Sequence, residues 1–276
     1  MYEQYWGLKE KPFENTPDPK FMYYSRQHEE ALTRMLYAIR EEKGAAMLTG
    51  DYGSGKTILS RIIIDELIKD NIYEVALITH PHLMPMQFIQ EIAYQLKNEH
   101  VKGSRFELMH TIQDIVYNNF NAGKKTVILI DEAQIIKNVE TFEEVRLFLN
   151  FQLNNKFLIT LVLIGQPELI SKVRSIPQLW QRLGIKYHLS GLSNSETENY
   201  IRYRLNVAGG NPEIFTKEAI EIIYNYSNGI PRNLNNACDM CLLIGFGQEV
   251  KVIDKDLAEK VAADLNMKRS LYAENV

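Results

Sequence analysis

Short apolar runs alternate with amphipathic segments from about residue 26 to residue 190. Five runs have the length and the valine and isoleucine content of buried strands: AAMLTG, EVALIT, TVILID, LITLVLIG and IKYHLSG. The segment RQHEEALTRMLYAIREE, before the first run, carries apolar residues at helical spacing. Strands separated by helices predict an α/β fold, with a mostly parallel sheet that helices cover on both faces.

The strand pattern ends after LSGLSNSE, and three or four helices follow it. Their expected ranges are about 193–206, 216–227, 231–245 and 254–265. Ser193 or Ser195, Thr216 and Asp254 are suitable N-caps, because their side-chain oxygens can accept hydrogen bonds from free N–H groups of the first turn. The last part of the chain therefore predicts a small all-α domain.

These patterns divide the chain into three regions. We predict a core over residues 1–191, a helical domain over 192–266 and a disordered tail over 267–276, where NMKRSLYAENV lacks a clear pattern. The first 25 residues are rich in aromatic residues and proline, which indicates an irregular arm lying across a surface rather than a linker. Its Phe21, Tyr23 and Tyr24 could pack against an adenine ring or against the first helix.

Composition narrows the class of protein. The 276 residues are 45% hydrophobic, which is enough for a substantial core. No apolar run approaches the roughly 18 to 20 residues of a membrane helix, and no signal peptide is visible, so we expect a cytoplasmic chain without a membrane segment. The net charge of −4 means that any contact with nucleic acid would need a local basic patch or an assembled surface.

Two pairs of potential metal ligands are explained without a metal. Cys238 and Cys241 share one face of a predicted helix and lack a second ligand pair, so we expect them to be buried for packing. His80 and His82 follow the second strand without a carboxylate or cysteine at ligand spacing, which favours a loop or structural role.

The motif GDYGSGKT lies between the first predicted strand and a helix, which is the context of a phosphate-binding loop. Its glycines let backbone N–H groups turn towards phosphates, and the following helix directs its positive end at them. Lys56 can neutralise the β- and γ-phosphates, and the Thr57 hydroxyl can bind Mg²⁺. The expected nucleotide-binding residues of the loop are Gly50, Asp51, Tyr52, Gly53, Ser54, Gly55, Lys56, Thr57 and Ile58.

Polar residues follow two further strands. Asp131 and Glu132 end the strand in TVILID, where Asp131 is suited to the Mg²⁺ shell and Glu132 to polarising the attacking water. Gln166 follows LITLVLIG and would reach the γ-phosphate or the water if that strand lies between the first and third strands; otherwise GQP is only a turn. Arg182 and Arg232 could each bind a phosphate or be ordinary surface arginines.

These motifs together resemble a known family. The segments GDYGSGKT, ILIDEAQ, LIGQPEL, QRLGIKYHLSGLS and GIPRNLNNACDMCLLIGF, with the arm YWGLKEKPFENTPDPKFMYYSRQHEEAL, are similar to the ExeA (GspA) group of AAA+ ATPases. That group is related to the transposition ATPases TniB, TnsC and MuB. The resemblance covers roughly residues 2 to 265.

The resemblance implies a P-loop AAA+ fold, in which a three-layer αβα core with a five-stranded parallel sheet precedes an α-helical lid. It implies hydrolysis of ATP with Mg²⁺, nucleotide bound between core and lid, and assembly of the chain with itself into a ring or filament. Glu132 would be the catalytic glutamate, Gln166 the sensor-1 residue and Arg232 the sensor-2 arginine. Arg182 would act on the next subunit, although Arg174 or Lys186 could share that role.

Two biological roles fit this resemblance. ExeA-type proteins continue into a membrane helix and a peptidoglycan-binding domain, whereas this sequence ends after the lid, so we favour a DNA-transposition accessory ATPase. Such a protein assembles on duplex DNA and presents the target to a transposase. The alternative is the cytoplasmic ATPase of an ExeA-type secretion system. For the first role, YQLKNEHVKGSRFEL offers possible DNA contacts through Lys97, Lys102, Ser104 and Arg105.

Overall fold

The computed structural model describes residues 1–16, 18–154 and 156–273, and its contacts divide the chain into two compact units. The sheet unit comprises Arg26–Asp51 and Lys56–Leu189. The helical unit comprises Met1–Ser25, the short segment Tyr52–Gly55 and the C-terminal region from Ser190. The aromatic arm therefore groups with the C-terminal helices and not, as we expected, with the core.

The sheet unit is built on five parallel strands: β1 (Ala45–Gly50), β2 (Tyr73–Ile78), β3 (Lys125–Ile130), β6 (Ile159–Gly165) and β7 (Leu183–Leu189). Their order in the sheet is β2-β3-β6-β1-β7. Each overlaps one of the five predicted runs, with bounds that differ by at most two residues. Strand β6 lies between β1 and β3. This is the strand position that we required for Gln166 to reach the γ-phosphate or the water.

A separate two-stranded hairpin was not predicted. It pairs β4 (Gln152–Leu153) with β5 (Lys156–Phe157) in antiparallel fashion, just before β6. Each strand has only two residues, which is too short for the alternation of apolar and polar positions to be recognised. The hairpin therefore leaves no signal in the hydrophobic pattern.

Helices cover the sheet. Those of the sheet unit are α2 (Arg26–Arg40), α3 (Lys56–Asp70), α4 (Pro85–Lys97), α5 (Arg105–Asn121), α6 (Val139–Phe148), α7 (Glu168–Arg174) and α8 (Pro177–Arg182). Ala45 and Met47 of β1 belong to the apolar cluster that contains α4 to α8. Helices α2 and α3 contact β1 as well. Because β1 is buried along its whole length, it reads as a continuous apolar run.

The helical unit contains α1 (Glu3–Trp6), α9 (Asn194–Val207), α10 (Lys217–Ser227), α11 (Pro231–Gly247) and α12 (Lys255–Ala273). Ser193 and Thr216 cap α9 and α10, as predicted, by accepting hydrogen bonds from N–H groups of the first turn. Asp254 accepts a hydrogen bond of 3.0 Å from the Leu257 N–H. Helix α12 continues through most of the predicted tail, and residues 274–276 lie outside the described residues.

The arm is bound to the C-terminal helices by aromatic packing and hydrogen bonds. Trp6 is buried and donates its indole N–H to the Leu242 carbonyl at 2.9 Å. Phe13 meets Phe215 edge to face, with 6.1 Å between ring centroids. These contacts explain why the arm follows the helical unit: its aromatic side chains complete that unit's core.

The aromatic residues at the end of the arm also contact helix α9. The Arg204 guanidinium stacks 5.0 Å from the Phe21 ring, and Tyr23 packs against Tyr200 and Tyr203. Tyr24 is 46% exposed. The sequence left two partners open for these residues, an adenine ring or the first helix, and in the structure Phe21 and Tyr23 pack against α9.

Within the described residues, no helix is both long enough and apolar enough to cross a membrane. Cys238 and Cys241 are buried on α11, as predicted. Burial raises the pKa of Cys238 well above its usual value and that of Cys241 to about 12, so both thiols stay protonated at neutral pH.

Candidate functional site

Three polar segments leave the same edge of the sheet. They follow β1, β3 and β6, which are adjacent parallel strands, so their carboxyl ends lie side by side. Ligands of open parallel sheets bind at such an edge. The order of strands therefore brings the start of the phosphate-binding loop, the Asp131–Glu132 pair and Gln166 together at one edge.

Lys56 is the first residue of α3 and is only 5% exposed. Its ammonium donates to the backbone carbonyls of Gly50 at 2.7 Å and Asp51 at 2.8 Å. Burial lowers the pKa of Lys56, and the nearby carboxylates of Glu132 and Asp131 oppose this shift. The loop thus holds a buried cation by its own carbonyls, and phosphate oxygens could take the place of those carbonyls.

The tip of the loop contacts Arg232 within the helical unit. The Arg232 guanidinium lies 4.3 Å from the centroid of the Tyr52 ring, and its backbone N–H donates to the Gly53 carbonyl at 3.3 Å. Gly53 has φ +84°, and a Cβ there would lie 2.5 Å from the Cβ of Arg232. Both the backbone conformation and the space require glycine at this position.

Asp131 follows β3 and is buried, with 4% exposure. One carboxylate oxygen accepts the Glu132 N–H at 2.9 Å, and the other lies 3.2 Å from the Ser60 hydroxyl. That hydroxyl is also 2.9 Å from the Thr57 carbonyl, so Ser60 connects the start of α3 to the end of β3. Burial raises the pKa of Asp131, because a charged carboxylate is poorly solvated there.

Glu132 has φ +51°, a left-handed conformation that is uncommon for residues other than glycine. Its carboxylate accepts the Gln134 side-chain N–H at 2.5 Å. The side-chain oxygen of Gln134 accepts the backbone N–H of Gln166 at 3.0 Å. The Gln134 amide is thus hydrogen-bonded to Glu132 after β3 and to Gln166 after β6, two residues predicted to act in hydrolysis.

The three basic candidates for a role in a neighbouring subunit have different contacts. Arg182 donates to Asn150 at 2.8 Å. Arg174 and Lys186 both lie over the Trp180 ring, at 4.8 Å and 4.7 Å from its centroid. The side chain that binds Arg182 is neutral, so its guanidinium keeps an uncompensated charge in this contact.

The predicted DNA-contacting residues are largely engaged within the fold. Ser104 caps α5 in a capping box with Glu107. Arg105 makes two hydrogen bonds of 2.7 Å to the largely buried Glu144 carboxylate, and Lys97 pairs with Glu99 at 2.6 Å. Lys102 is exposed. Half of the proposed patch, Ser104 and Arg105, therefore has a structural role that needs no DNA.

The oxygen donors fit an Mg²⁺ ion that also binds phosphates. Thr57, exposed at the start of α3, and Asp131 offer the hard oxygen ligands that Mg²⁺ prefers. Among the described residues there is no cluster of three or more histidine, cysteine, aspartate or glutamate side chains suited to a metal. A site of one carboxylate and one hydroxyl suits Mg²⁺, which commonly keeps waters and phosphate oxygens as its other ligands.

Sequence reasoning missed two residues of this site, Ser60 and Gln134. Ser60 had a weak signal, since it interrupts the aliphatic run of α3 at four residues from Lys56, on the same face of the helix. Gln134 had none, because its partners are fixed by the pairing of β3 with β6 rather than by any local spacing.

Comparisons with known proteins agree with this geometry. A family model described as an AAA domain matches residues 39–173. The ORC2 protein of Aeropyrum pernix, solved as ADPNP-ADP complexes, has a TM-score of 0.65 at 18% identity, covering 92% of this chain and 71% of that one. The ORC1 protein of Aeropyrum pernix in complex with DNA has a TM-score of 0.61 at 13% identity, with 92% and 69% covered.

The fold, the phosphate-binding loop and the matched domain identify the chain as an AAA-type P-loop ATPase. Among curated relatives it is similar to General secretion pathway protein A of Aeromonas hydrophila. The two are 37% identical over 263 residues, which cover 94% of this chain and 47% of that protein. The chain thus spans about half the length of this relative. This similarity favours the secretion-type alternative over the transposition role that we preferred from sequence.

Proposed function

We propose that the chain is an ATP-hydrolysing component of a secretion system of the General secretion pathway protein A type, acting on the cytoplasmic side with a membrane partner. The support is 37% identity extending over 94% of the chain, and so over both the sheet unit and the helical unit. A shared AAA fold alone would not distinguish secretion from other roles, because one fold supports many functions.

The loop residues would bind the nucleotide phosphates. Backbone N–H groups around Gly53 and Gly55, both with positive φ, supply donors, and the N-terminus of α3 adds its partial positive charge. Lys56 would exchange the carbonyls of Gly50 and Asp51 for phosphate oxygens. Thr57 and Asp131 would hold Mg²⁺, which neutralises charge on the phosphates when it is bound.

The observation that carries hydrolysis is the position of Glu132. Its carboxylate directly follows the buried Asp131, lies at the edge where the phosphate-binding loop begins, and is held by the Gln134 N–H. A carboxylate so placed can orient a water and accept its proton as the water attacks the γ-phosphate. Gln166, on the neighbouring strand end, would contact the phosphate or the water.

We further propose that active chains assemble with one another into a ring or filament. Arg182, whose contact is to the neutral Asn150, would stabilise transition-state charge in the site of a neighbouring copy. Arg232, at the tip of the loop through Tyr52 and Gly53, would sense the phosphates.

A chimera tests the secretion role. This chain replaces the matched part of the Aeromonas hydrophila protein, and secretion by the general pathway is measured in cells that lack the native protein. We expect the chimera to restore secretion and the same chimera with Glu132→Gln to fail at equal abundance. Restoration by both would disprove a role for hydrolysis, and failure of both would disprove the secretion assignment.

A second candidate is the transposition accessory ATPase, which would bind duplex DNA and present it to a transposase. Two observations favour it: the ORC1 protein, which shares this fold, was solved with DNA, and Lys102 is exposed in the proposed patch. Purified protein should distinguish the two roles. Duplex DNA that raises ATP turnover several-fold, with a loss of that effect in Lys102→Glu, would support DNA binding; an unchanged rate would count against it.

A further inference from the structure

The polar contacts between the ends of β3 and β6 converge on one residue, Gln134. Its amide nitrogen donates to the Glu132 carboxylate at 2.5 Å, and its amide oxygen accepts the Gln166 backbone N–H at 3.0 Å. The orientation of this amide is fixed by chemistry: a backbone N–H can only donate, so the oxygen must face Gln166 and the nitrogen must face Glu132.

The surroundings of Gln134 hold this amide in place. Gly165, the last residue of β6, leaves the space that the amide occupies, because a Cβ there would lie 2.6 Å from the amide oxygen. Lys172 of α7 donates to the backbone carbonyls of Gln134 and Ile136, the latter at 2.8 Å. Two side chains thus connect the turn after β3 to the segment after β6. Gln134 accepts the Gln166 N–H, and Lys172 donates to the backbone of the turn.

From this geometry we infer that Gln134 is a positioning residue for hydrolysis, holding one carboxylate oxygen of Glu132 so that the other is free to orient water. This inference rests on the proposed function of Glu132. It also couples the two strand ends: a shift of Gln166, for example on contact with a phosphate, changes the anchor of the amide that fixes Glu132. Gln134 itself contacts neither phosphate nor water in this scheme.

The test is Gln134→Glu, which keeps the size of the side chain and an oxygen for the Gln166 N–H. It replaces the N–H donor to Glu132 with a carboxylate oxygen, so two like charges face one another. We expect kcat to fall about 10- to 100-fold, because a misplaced catalytic group costs rate of this order. The dissociation constant for ATP should remain within about twofold, since Gln134 does not contact nucleotide.

The chain offers a matched control. Gln95 on α4 donates its amide N–H to the Glu91 carboxylate at 2.9 Å, which is the same chemical pair on a helix away from the site. Gln95→Glu should leave kcat unchanged. If Gln134→Glu does not fold, Gln134→Asn addresses the same question, because its shorter side chain keeps the amide but cannot reach both partners.

A double-mutant comparison separates positioning from simple structural support. In a Glu132→Gln background, Gln134→Glu should cause little further loss of residual hydrolysis, because the group on which it acts is already gone. A full additional 10-fold loss there, or an unchanged kcat in the single variant, would overturn the inference. If Glu132→Gln alone leaves hydrolysis intact, the proposed function fails first, and the two failures are therefore distinguishable.

Discussion

Two cations are almost equally buried in this protein, and their contacts assign them opposite roles. Lys56 is 5% exposed and Arg204 is 6% exposed. Both donate to backbone carbonyls. Lys56 uses Gly50 and Asp51, which lie within six residues of it in the same loop. Arg204 uses Pro12 and Glu14, about 190 residues away in sequence.

The two cations differ in how far along the chain their carbonyl partners lie. Local carbonyls keep the Lys56 ammonium satisfied without fixing any other element, so a phosphate can replace them at small structural cost. Arg204 also contacts Tyr200 and Asn235 by hydrogen bonds and stacks on Phe21, so its release would free the arm. A buried cation is therefore evidence for a ligand site only when its partners are replaceable.

The strongest test of this contrast is Lys56→Met. We expect ATP hydrolysis to fall by about 10²- to 10³-fold, because a donor to the transition-state charge is lost. The free energy of unfolding without nucleotide should change by less than about 1 kcal/mol, because removing the penalty of a buried charge offsets the loss of the donor to two carbonyls. Turnover and chemical denaturation give the two values. Lys69→Met, at an exposed position on the same helix, is the control and should change neither.

Arg204→Met should have the reverse effect. Losing this guanidinium leaves buried carbonyl and side-chain acceptors without donors, which we expect to cost about 2–4 kcal/mol of unfolding free energy. Turnover per folded molecule should remain close to wild type. The neighbouring Arg202 is paired with Glu198 and Glu213, so Arg202→Met should cost less than about 1 kcal/mol. Equal losses in both variants would contradict the contrast.

Asp131→Asn tests how much the buried charge of the Asp131 carboxylate destabilises the folded protein. Because burial raises the pKa of Asp131, the folded protein keeps this proton to higher pH than the unfolded chain does. The destabilisation by the buried charge is therefore absent at acidic pH. It develops as pH rises above about 3.8, the ordinary pKa of an aspartate side chain. We expect the variant to be more stable at pH 7 by about 0.5–2 kcal/mol, with the gain shrinking in acid, while hydrolysis is lost.

Denaturation at several pH values measures this gain. Asp65→Asn, at an exposed position on α3, should change stability by no more than about 0.5 kcal/mol at any pH. A gain that grows towards acidic pH would have the wrong sign and would contradict the assignment.

Ser60→Ala should give the smallest effect. It removes the hydroxyl between the Thr57 carbonyl and the Asp131 carboxylate, and we expect a loss of about 0.5–1.5 kcal/mol in unfolding free energy. The exposed Ser171, which donates to the Glu168 carbonyl at 2.8 Å, provides the comparison: Ser171→Ala should be close to neutral by denaturation. A neutral Ser60→Ala would mean that the hydroxyl does not stabilise the site.

Much of the fold was predictable because its signals are local. Five apolar runs gave five strands, and the caps at Ser193 and Thr216 marked where helices begin. The phosphate-binding loop was equally visible, since all its groups lie within nine consecutive residues. In each case the physical requirement is met by residues close in sequence.

The remaining features depend on partners that are distant in sequence. We grouped the arm with the core, whereas its contacts are with the C-terminal helices, because its aromatic side chains show that they need a surface but not which one. Gln134 was likewise overlooked, and the ion pair of Arg105, which remains a predicted DNA contact, was not foreseen. Their roles depend on Gln166 and Glu144, which only the folded chain brings near. The hydrophobic pattern contains no information about such pairs.

The close approach of Gly53 to Arg232 has a consequence for how this protein can change in evolution. A side chain at position 53 would collide with the Arg232 Cβ, which every residue except glycine carries, and φ +84° also disfavours any residue with a side chain. Among homologous sequences, the glycine should therefore be retained even where another residue replaces the arginine. The arginine can change without releasing the glycine, because the constraint comes from its Cβ and not from its guanidinium.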